Sequence, residues 1–154
     1  MIRFFIAVML VLTGLNTAQA EWFSWTAPTP DQKQLQCMAT AIYHEAGNES
    51  DLGRIAVGKV IMNRVNSGRY ATDICGVVYQ RNAGRCQFTF ACVKSMKITS
   101  QEQYARSLAS AKLVMLGFHA DVSNSAEFFN NRPFRDKNLV KVAQIGGHYF
   151  YRRI

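Results

Sequence analysis

From Asp31 onward the apolar residues recur at helical spacing. Leu35, Met38, Ala39, Ile42, Tyr43 and Ala46 stand at i, i+3, i+4, i+7, i+8 and i+11, one continuous stripe. The pattern predicts a helix that starts at Asp31, a good N-cap after Pro30, and stops where Gly47 and Asn48 supply left-handed residues. At about 100° per residue, Glu45 lies on the flank of the stripe beside Met38 and Ile42, while His44 points the opposite way.

A second helix begins at Ser50 or Asp51 and runs to about Asn66. Leu52, Ile55, Ala56, Val57, Val60, Ile61, Met62 and Val65 cover nearly its whole circumference, the mark of a helix buried on most sides. Asn63 projects on the same side as Lys59, a position better suited to structure than to ligand binding. Asp73 caps a short helix from Ile74 to Gln80, and Arg81 to Arg85 is a polar loop. The alternation Cys86, Gln87, Phe88, Thr89, Phe90 predicts a strand with the phenylalanines on one face and Gln87 and Thr89 on the other. Ser100 and Gln103 form a capping box that opens a helix to about Gly117, with Tyr104, Leu108, Ala111, Met115 and Phe118 as its stripe. Two strands close the chain, one over Ala126 to Asn131 and one over Gly147 to Tyr151, expected to pair with each other.

The first residues have a different character. Met1 to Ala20 reads as a secretory signal peptide, with Arg3 at its positive end, Phe4 to Leu15 as the apolar run and Ala18-Gln19-Ala20 as the cleavage site. The run is shorter than the roughly 20 apolar residues of a membrane span, so no stable membrane anchor is expected. The domain division is then 1–20 signal peptide, 21–36 N-terminal lead and start of the first helix, and 37–154 the main domain. The expected location is outside the cytoplasm, in the periplasm by preference, otherwise extracellular or wall-associated. The oligomeric state stays open, with a monomer as the default.

All four cysteines lie beyond the cleavage site, and an even count in an exported chain argues for two disulfides. Three pairings exist. Cys86 with Cys92 staples a short loop and is favoured, leaving Cys37 with Cys75 to tie the first helix to a later one. Zinc chelation is disfavoured by the absence of close Cys-x-x-Cys pairs. The His44-Glu45 pair is not the zinc-protease motif either, since Asn48 stands where a second histidine is needed. No metal and no cofactor is expected. The formal charge of +8 is spread along the chain, with Arg152-Arg153 the only adjacent basic pair, so nucleic acid is not an expected partner. For an exported protein, anionic envelope polymers are the matching partner.

The candidate chemistry sits at Glu45. A carboxylate half inside an apolar environment loses hydration, and the negative end of a helix dipole adds to the cost of its charge. Both raise its pKa toward a general acid's range.

The runs Cys-Met-Ala-Thr-Ala-Ile-Tyr-His-Glu-Ala-Gly-Asn-Glu from Cys37 and Gly-Arg-Ile-Ala-Val-Gly-Lys-Val-Ile-Met-Asn-Arg-Val-Asn-Ser-Gly-Arg from Gly53 resemble the SleB/CwlJ-type cell wall hydrolases. That family carries a Glu-Ala-Arg-Gly-Glu element followed by a helix ending in Asn-Arg-Val. Further matching blocks are Cys-Gly-Val-Val-Tyr-Gln at 75–80, Cys-Gln-Phe-Thr-Phe at 86–90 and Ile-Gly-Gly-His-Tyr-Phe-Tyr at 145–151. The chain departs from the family at Phe128, Phe129 and Asn130, where many members have His-Tyr-His; Asn131 matches.

The resemblance implies an α+β, mainly helical, lysozyme-like domain with a small antiparallel sheet, and a groove for peptidoglycan glycan strands. It implies Glu45 as the catalytic acid, with Glu49, Gln87, Thr89, Phe129, Asn130 and Asn131 as substrate-binding candidates. Glu49, matching the second glutamate of the family element, is better suited to ordering its turn. A hydrolase needs a second carboxyl about 5 Å or about 6.5–9.5 Å from the first, and Glu49, Asp51 and Glu127 are the candidates. A lytic transglycosylase cutting the MurNAc–GlcNAc bond needs only one glutamate and is the favoured reading. The alternatives are a hydrolytic muramidase on the same bond, a non-catalytic peptidoglycan-binding or regulatory module, and, least favoured for want of a zinc site, an amidase.

Overall fold

The computed structural model describes residues 28–93 and 95–154. The segment expected to be a signal peptide, 1–20, and most of the expected N-terminal lead lie outside the described residues.

Helix α1 (Gln32–Ala46) forms as its stripe predicts. Asp31 accepts the Gln34 N–H at 2.9 Å, and Leu35, Met38, Ala39, Ala41, Ile42 and Ala46 are buried. Tyr43 is only half buried, because its hydroxyl accepts the Thr99 and Ser100 N–H groups at 3.0 and 3.1 Å where the last helix begins. The helix does not end on a left-handed residue. Gly47 is right-handed at φ −57°, and a Cβ there would stand 2.5 Å from the Tyr43 carbonyl oxygen, so the glycine permits a close backbone approach.

Helix α2 (Asp51–Asn66), capped by Ser50, is the central element. Ile55, Ala56, Val57, Val60 and Ile61 are buried, although Leu52 at its first turn is exposed. At Gly58 a Cβ would lie 3.1 Å from Val114 and 3.2 Å from Ile42, so the absence of a side chain lets α1 and the last helix cross α2 closely. Asn63 is structural. Its amide donates to Asp121, Ser123 and the Ala126 carbonyl, at 3.1, 3.2 and 3.0 Å, holding the loop before the sheet.

Helix α3 (Ile74–Val78) stops short of Gln80, whose carbonyl accepts the Gln87 N–H at 2.8 Å and closes the hairpin of β1 (Arg81–Asn82) and β2 (Arg85–Cys86). The predicted strand over Cys86 to Phe90 is not formed: β2 ends at Cys86, and a 3-10 turn occupies Thr89–Cys92. The predicted disulfide explains this. Cys86 and Cys92 are bonded with their Cα atoms 5.8 Å apart, a distance an extended run of this length, at about 3.3 Å per residue, would far exceed. Phe88 and Phe90 are still both buried, with ring centroids 6.0 Å apart. Cys37 and Cys75 form the second disulfide and fasten α3 to α1.

Helix α4 (Gln101–Met115) is capped by Ser100, but Gln103 does not reach back to complete the box; its side chain donates to Asn48. The buried face is Ser107, Ser110, Ala111 and Val114, rotated from the predicted stripe. Phe118 falls outside it, 68% exposed, because Gly117 turns left-handed at φ +74° and takes the chain out of helical phase.

The sheet has the order β3-β5-β4, all antiparallel: β3 (Phe128–Asn130), β5 (His148–Arg153) and β4 (Leu139–Ile145). The predicted pairing of the last strand with the 126–130 region is present, Phe129 facing Phe150 and Asn130 facing Tyr149. Strand β4 was not predicted. Its register slips between Lys141 and Ala143, which breaks the alternation that would have signalled it. Fully buried Phe150 seats the sheet on the core. The result is a mainly helical α+β domain with a small antiparallel sheet beside the ends of α1 and α2.

Candidate active site

Glu45 stands at the junction of three depressions. One of about 230 Å³ is walled by Phe88, Phe128, Phe129 and Phe134, with Arg64, Gln87 and Thr89. A second, about 490 Å³, runs past His44, Glu49, Lys97 and Asn131. A third, about 210 Å³, lies against Phe129, Asn130, Asn131 and His148. Together they make a groove between the end of α1, the disulfide-closed loop and the sheet. All six residues expected to contact substrate, Glu49, Gln87, Thr89, Phe129, Asn130 and Asn131, line it with Glu45. A larger depression of about 580 Å³ lies elsewhere, between α2 and α4, and includes Asp51 and His119.

Burial raises the pKa of Glu45, and the Arg64 cation partly opposes the rise. Arg64 is 4% exposed. Its Nε donates to the Glu127 carbonyl at 2.7 Å, and its guanidinium lies over the rings of Tyr70 and Phe88 at 5.4 and 5.2 Å. With the amide oriented as this network requires, both terminal nitrogens donate to the Gln87 oxygen at 3.2 Å. Desolvation lowers the Arg64 pKa, countered by Tyr70, Glu127 and Glu45.

The three candidate second carboxylates differ in placement. Glu127 is buried and paired with Arg69, outside the groove lining. Asp51 is exposed and paired with Arg54. Glu49 faces the groove, but its carboxylate accepts the Gly147 N–H at 3.3 and 3.2 Å. The turn it orders is therefore the remote one between β4 and β5. Beside it, His148 is buried with its Nδ1 3.9 Å from Glu49 and no hydrogen-bond partner for that nitrogen among the described residues. Burial lowers the His148 pKa, and the Glu49 carboxylate partly opposes this.

Like Phe134 and Lys97, Arg64 and His148 are groove residues that had no role assigned from the sequence. Both sit inside blocks that carry the resemblance, Asn63-Arg64-Val65 and Gly147-His148-Tyr149, which was the signal available. Where the family's His-Tyr-His run is replaced, Phe128 lies under the Arg153 guanidinium at 5.0 Å and Phe129 packs edge-on to His148 at 5.3 Å.

The Cell Wall Hydrolase family model matches residues 48–151. The chain belongs to that family. Spore cortex-lytic enzymes are among its relatives: that of Oceanobacillus iheyensis is 40% identical over 123 residues, covering 77% of this chain and 41% of the relative. That of Bacillus cereus is 28% identical over 122 residues, 77% of this chain and 44% of the relative. The chain thus spans less than half the length of these curated relatives. Among solved structures, the catalytic domain of the germination-specific lytic transglycosylase SleB from Bacillus anthracis superposes with a TM-score of 0.61 at 27% identity, over 80% of this chain and 97% of that one. The Bacillus cereus SleB catalytic domain gives 0.62 at 27% identity, over 82% and 95%. The cell wall hydrolase fold here is therefore the expected lysozyme-like one. The family match opens at Asn48, just after Glu45.

Proposed function

We propose that this cell wall hydrolase domain cleaves peptidoglycan glycan strands as a lytic transglycosylase, with Glu45 as the single acid and base. One observation carries the reading. Glu45 is a desolvated carboxyl held toward its protonated form, in a groove where the other lining carboxylate, Glu49, is engaged by a backbone N–H. The named activity of the Bacillus anthracis neighbour supports the same reaction class.

In this mechanism protonated Glu45 gives its proton to the oxygen leaving from C1 of MurNAc. The C1–O bond breaks, and the GlcNAc that follows departs with a free 4-hydroxyl. The oxocarbenium-like centre at C1 is then attacked by the same sugar's C6 hydroxyl, whose proton returns to Glu45, and a 1,6-anhydro ring closes. No water is consumed, and Glu45 ends as it began. Phe129 and the neighbouring phenylalanines offer flat apolar walls for sugar faces, while Thr89, Asn130 and Asn131 offer hydrogen bonds. Residues 37–154 act as the catalytic domain and 1–20 as the export signal, which delivers the chain to the periplasm, where its two disulfides form.

A hydrolytic reaction on the same bond would need a base for water, and Glu49 with His148 is the groove pair available to it. Mass spectrometry of fragments released from purified peptidoglycan distinguishes the two. Anhydromuropeptides are expected; reducing-end MurNAc would replace the transglycosylase reading with the hydrolytic one. Retention on the wall without any release would leave a binding module.

A further inference from the structure

The register of the sheet sorts its side chains onto two faces. Residues paired across strands point to the same side, and the pair Phe129 and Phe150 packs into the core. The opposite side therefore carries Phe128 paired with Tyr151, Asn130 paired with Tyr149, and Lys141 paired with Tyr151 from the other edge. Arg153, two positions on from Tyr151, completes this face. Its guanidinium lies 5.0 Å from the Phe128 ring centre, as the Lys141 ammonium lies 5.3 Å from that of Tyr149. The face runs into the groove, since Phe128 and Asn130 also line the depressions that hold Glu45.

The charge on this side is not answered within the protein. From Phe128 to Ile154 the chain has Arg132, Arg135, Lys137, Lys141, Arg152 and Arg153 against one acid, Asp136, whose carboxylate accepts the Asn138 N–H at 2.8 Å. All six cations are exposed, and none has a carboxylate partner among the described residues. Lys141 reaches the Gln144 amide oxygen, a neutral acceptor, at 3.4 Å. An aromatic ring beneath each of Lys141 and Arg153 holds its charge in place at the edge of the groove.

We infer that Lys141 and Arg153 bind carboxylates of the stem peptides carried by MurNAc, so that the domain prefers peptide-bearing glycan strands to bare ones. The inference rests on the glycan-cleaving reading above. A strand lying against Glu45 hangs its peptides from the lactyl groups of MurNAc, to the side of the sugar path. A carboxylate there meets an ammonium or a guanidinium with no acid of the protein competing for it. The continuity of this face with the groove selects the substrate's own peptide as the occupant, rather than a separate anionic polymer.

The test compares three substrates: strands bearing stem peptides, the same strands freed of peptide by an amidase, and peptide-bearing strands whose carboxyls have been converted to amides. Wild type is expected to favour the first by about 3–10-fold in kcat/KM at low salt, chiefly through KM, with the ratio closing as salt rises. Lys141→Gln combined with Arg153→Gln should close the ratio at low salt, while Lys141→Arg combined with Arg153→Lys should keep it. An unchanged ratio in the glutamine double variant overturns the inference, as does equal cutting of amidated and untreated strands by wild type. If that variant keeps the ratio but loses affinity for a glycerol phosphate polymer, the face serves wall phosphates and the inference is overturned. If wild type releases fragments from no strand, the cleavage reading fails. Dissociation constants measured with Glu45→Gln then decide the peptide site alone: tighter binding of the peptide-bearing strand, lost on adding the two glutamines, supports it, and equal binding overturns it.

Discussion

The carboxylate of Glu49 accepts the backbone N–H of Gly147 at 3.2–3.3 Å, joining the α1–α2 turn to the β4–β5 turn across 98 positions of sequence. These turns stand on either side of the groove, Glu45 and His148 being their close neighbours in the chain. The contact sets how far the helical and sheet walls stand apart. Glu49→Ala should lower stability by about 1–3 kcal/mol, the usual cost of losing a charged hydrogen-bond partner. Glu49→Gln, which keeps an acceptor, should lose less. Urea unfolding gives both values, and kcat/KM on peptidoglycan should fall in the same order.

Gly146 is the other half of that junction. Its φ is +54°, and a Cβ there would lie 2.0 Å from Glu49 Oε2. Gly68 has φ +69° with nothing within 4 Å. Left-handed backbone alone costs a residue with a Cβ about 1–2 kcal/mol, so Gly68→Ala measures that cost and Gly146→Ala should exceed it by the displacement of Glu49. In the Glu49→Ala background the excess should disappear, a non-additivity that thermal unfolding of the four variants would show.

Glu45→Gln should lower the rate by about 10²–10⁴-fold or more, the share of a general acid, while stabilising the fold at neutral pH. Burial raises the pKa of Glu45 in the folded state. As pH rises from the ordinary glutamate value through the raised one, the unfolded chain gives up this proton first, and stability is lost over that window. Glutamine has no proton to lose. The Tm difference between variant and wild type should thus be positive at pH 7 and close as pH falls below the ordinary glutamate range. The rate of the wild type, needing the protonated acid, should decline as pH climbs through the raised value.

The two disulfides should separate stability from activity. Cys37 and Cys75 are 38 positions apart, and chain entropy assigns such a loop about 3–4 kcal/mol. Replacing both by serine should show mainly as a lower Tm. Cys86 and Cys92 are 6 apart and enclose Gln87, Phe88 and Thr89. Serine at both should cost less stability and more kcat/KM, because the released segment carries one wall of the groove.

Helices α1, α2 and α4, their caps at Asp31, Ser50 and Ser100, and the pairing of β5 with β3 were legible in the sequence. Each rests on apolar periodicity or on a capping side chain within a few residues of the backbone it serves. The errors came where a distant constraint overrode local pattern. The Cys86–Cys92 bond curls a segment that alternates like a strand, and Gly117 turns Phe118 out to solvent. The bulge in β4 hides that strand's alternation.

For the site, the sequence alone determined that a half-buried carboxylate, Glu45, ends an amphipathic helix, because one turn of helix couples that position to Ile42 and two turns to Met38 by geometry alone. Only the tertiary structure decided what surrounds it. Arg64 reaches Gln87 across helix α3 and the β1–β2 hairpin, His148 arrives from the last strand, and Glu49 engages Gly147 with its carboxylate. Such contacts join residues far apart in the chain. They follow from how α2 packs among its neighbours, and no local spacing encodes them.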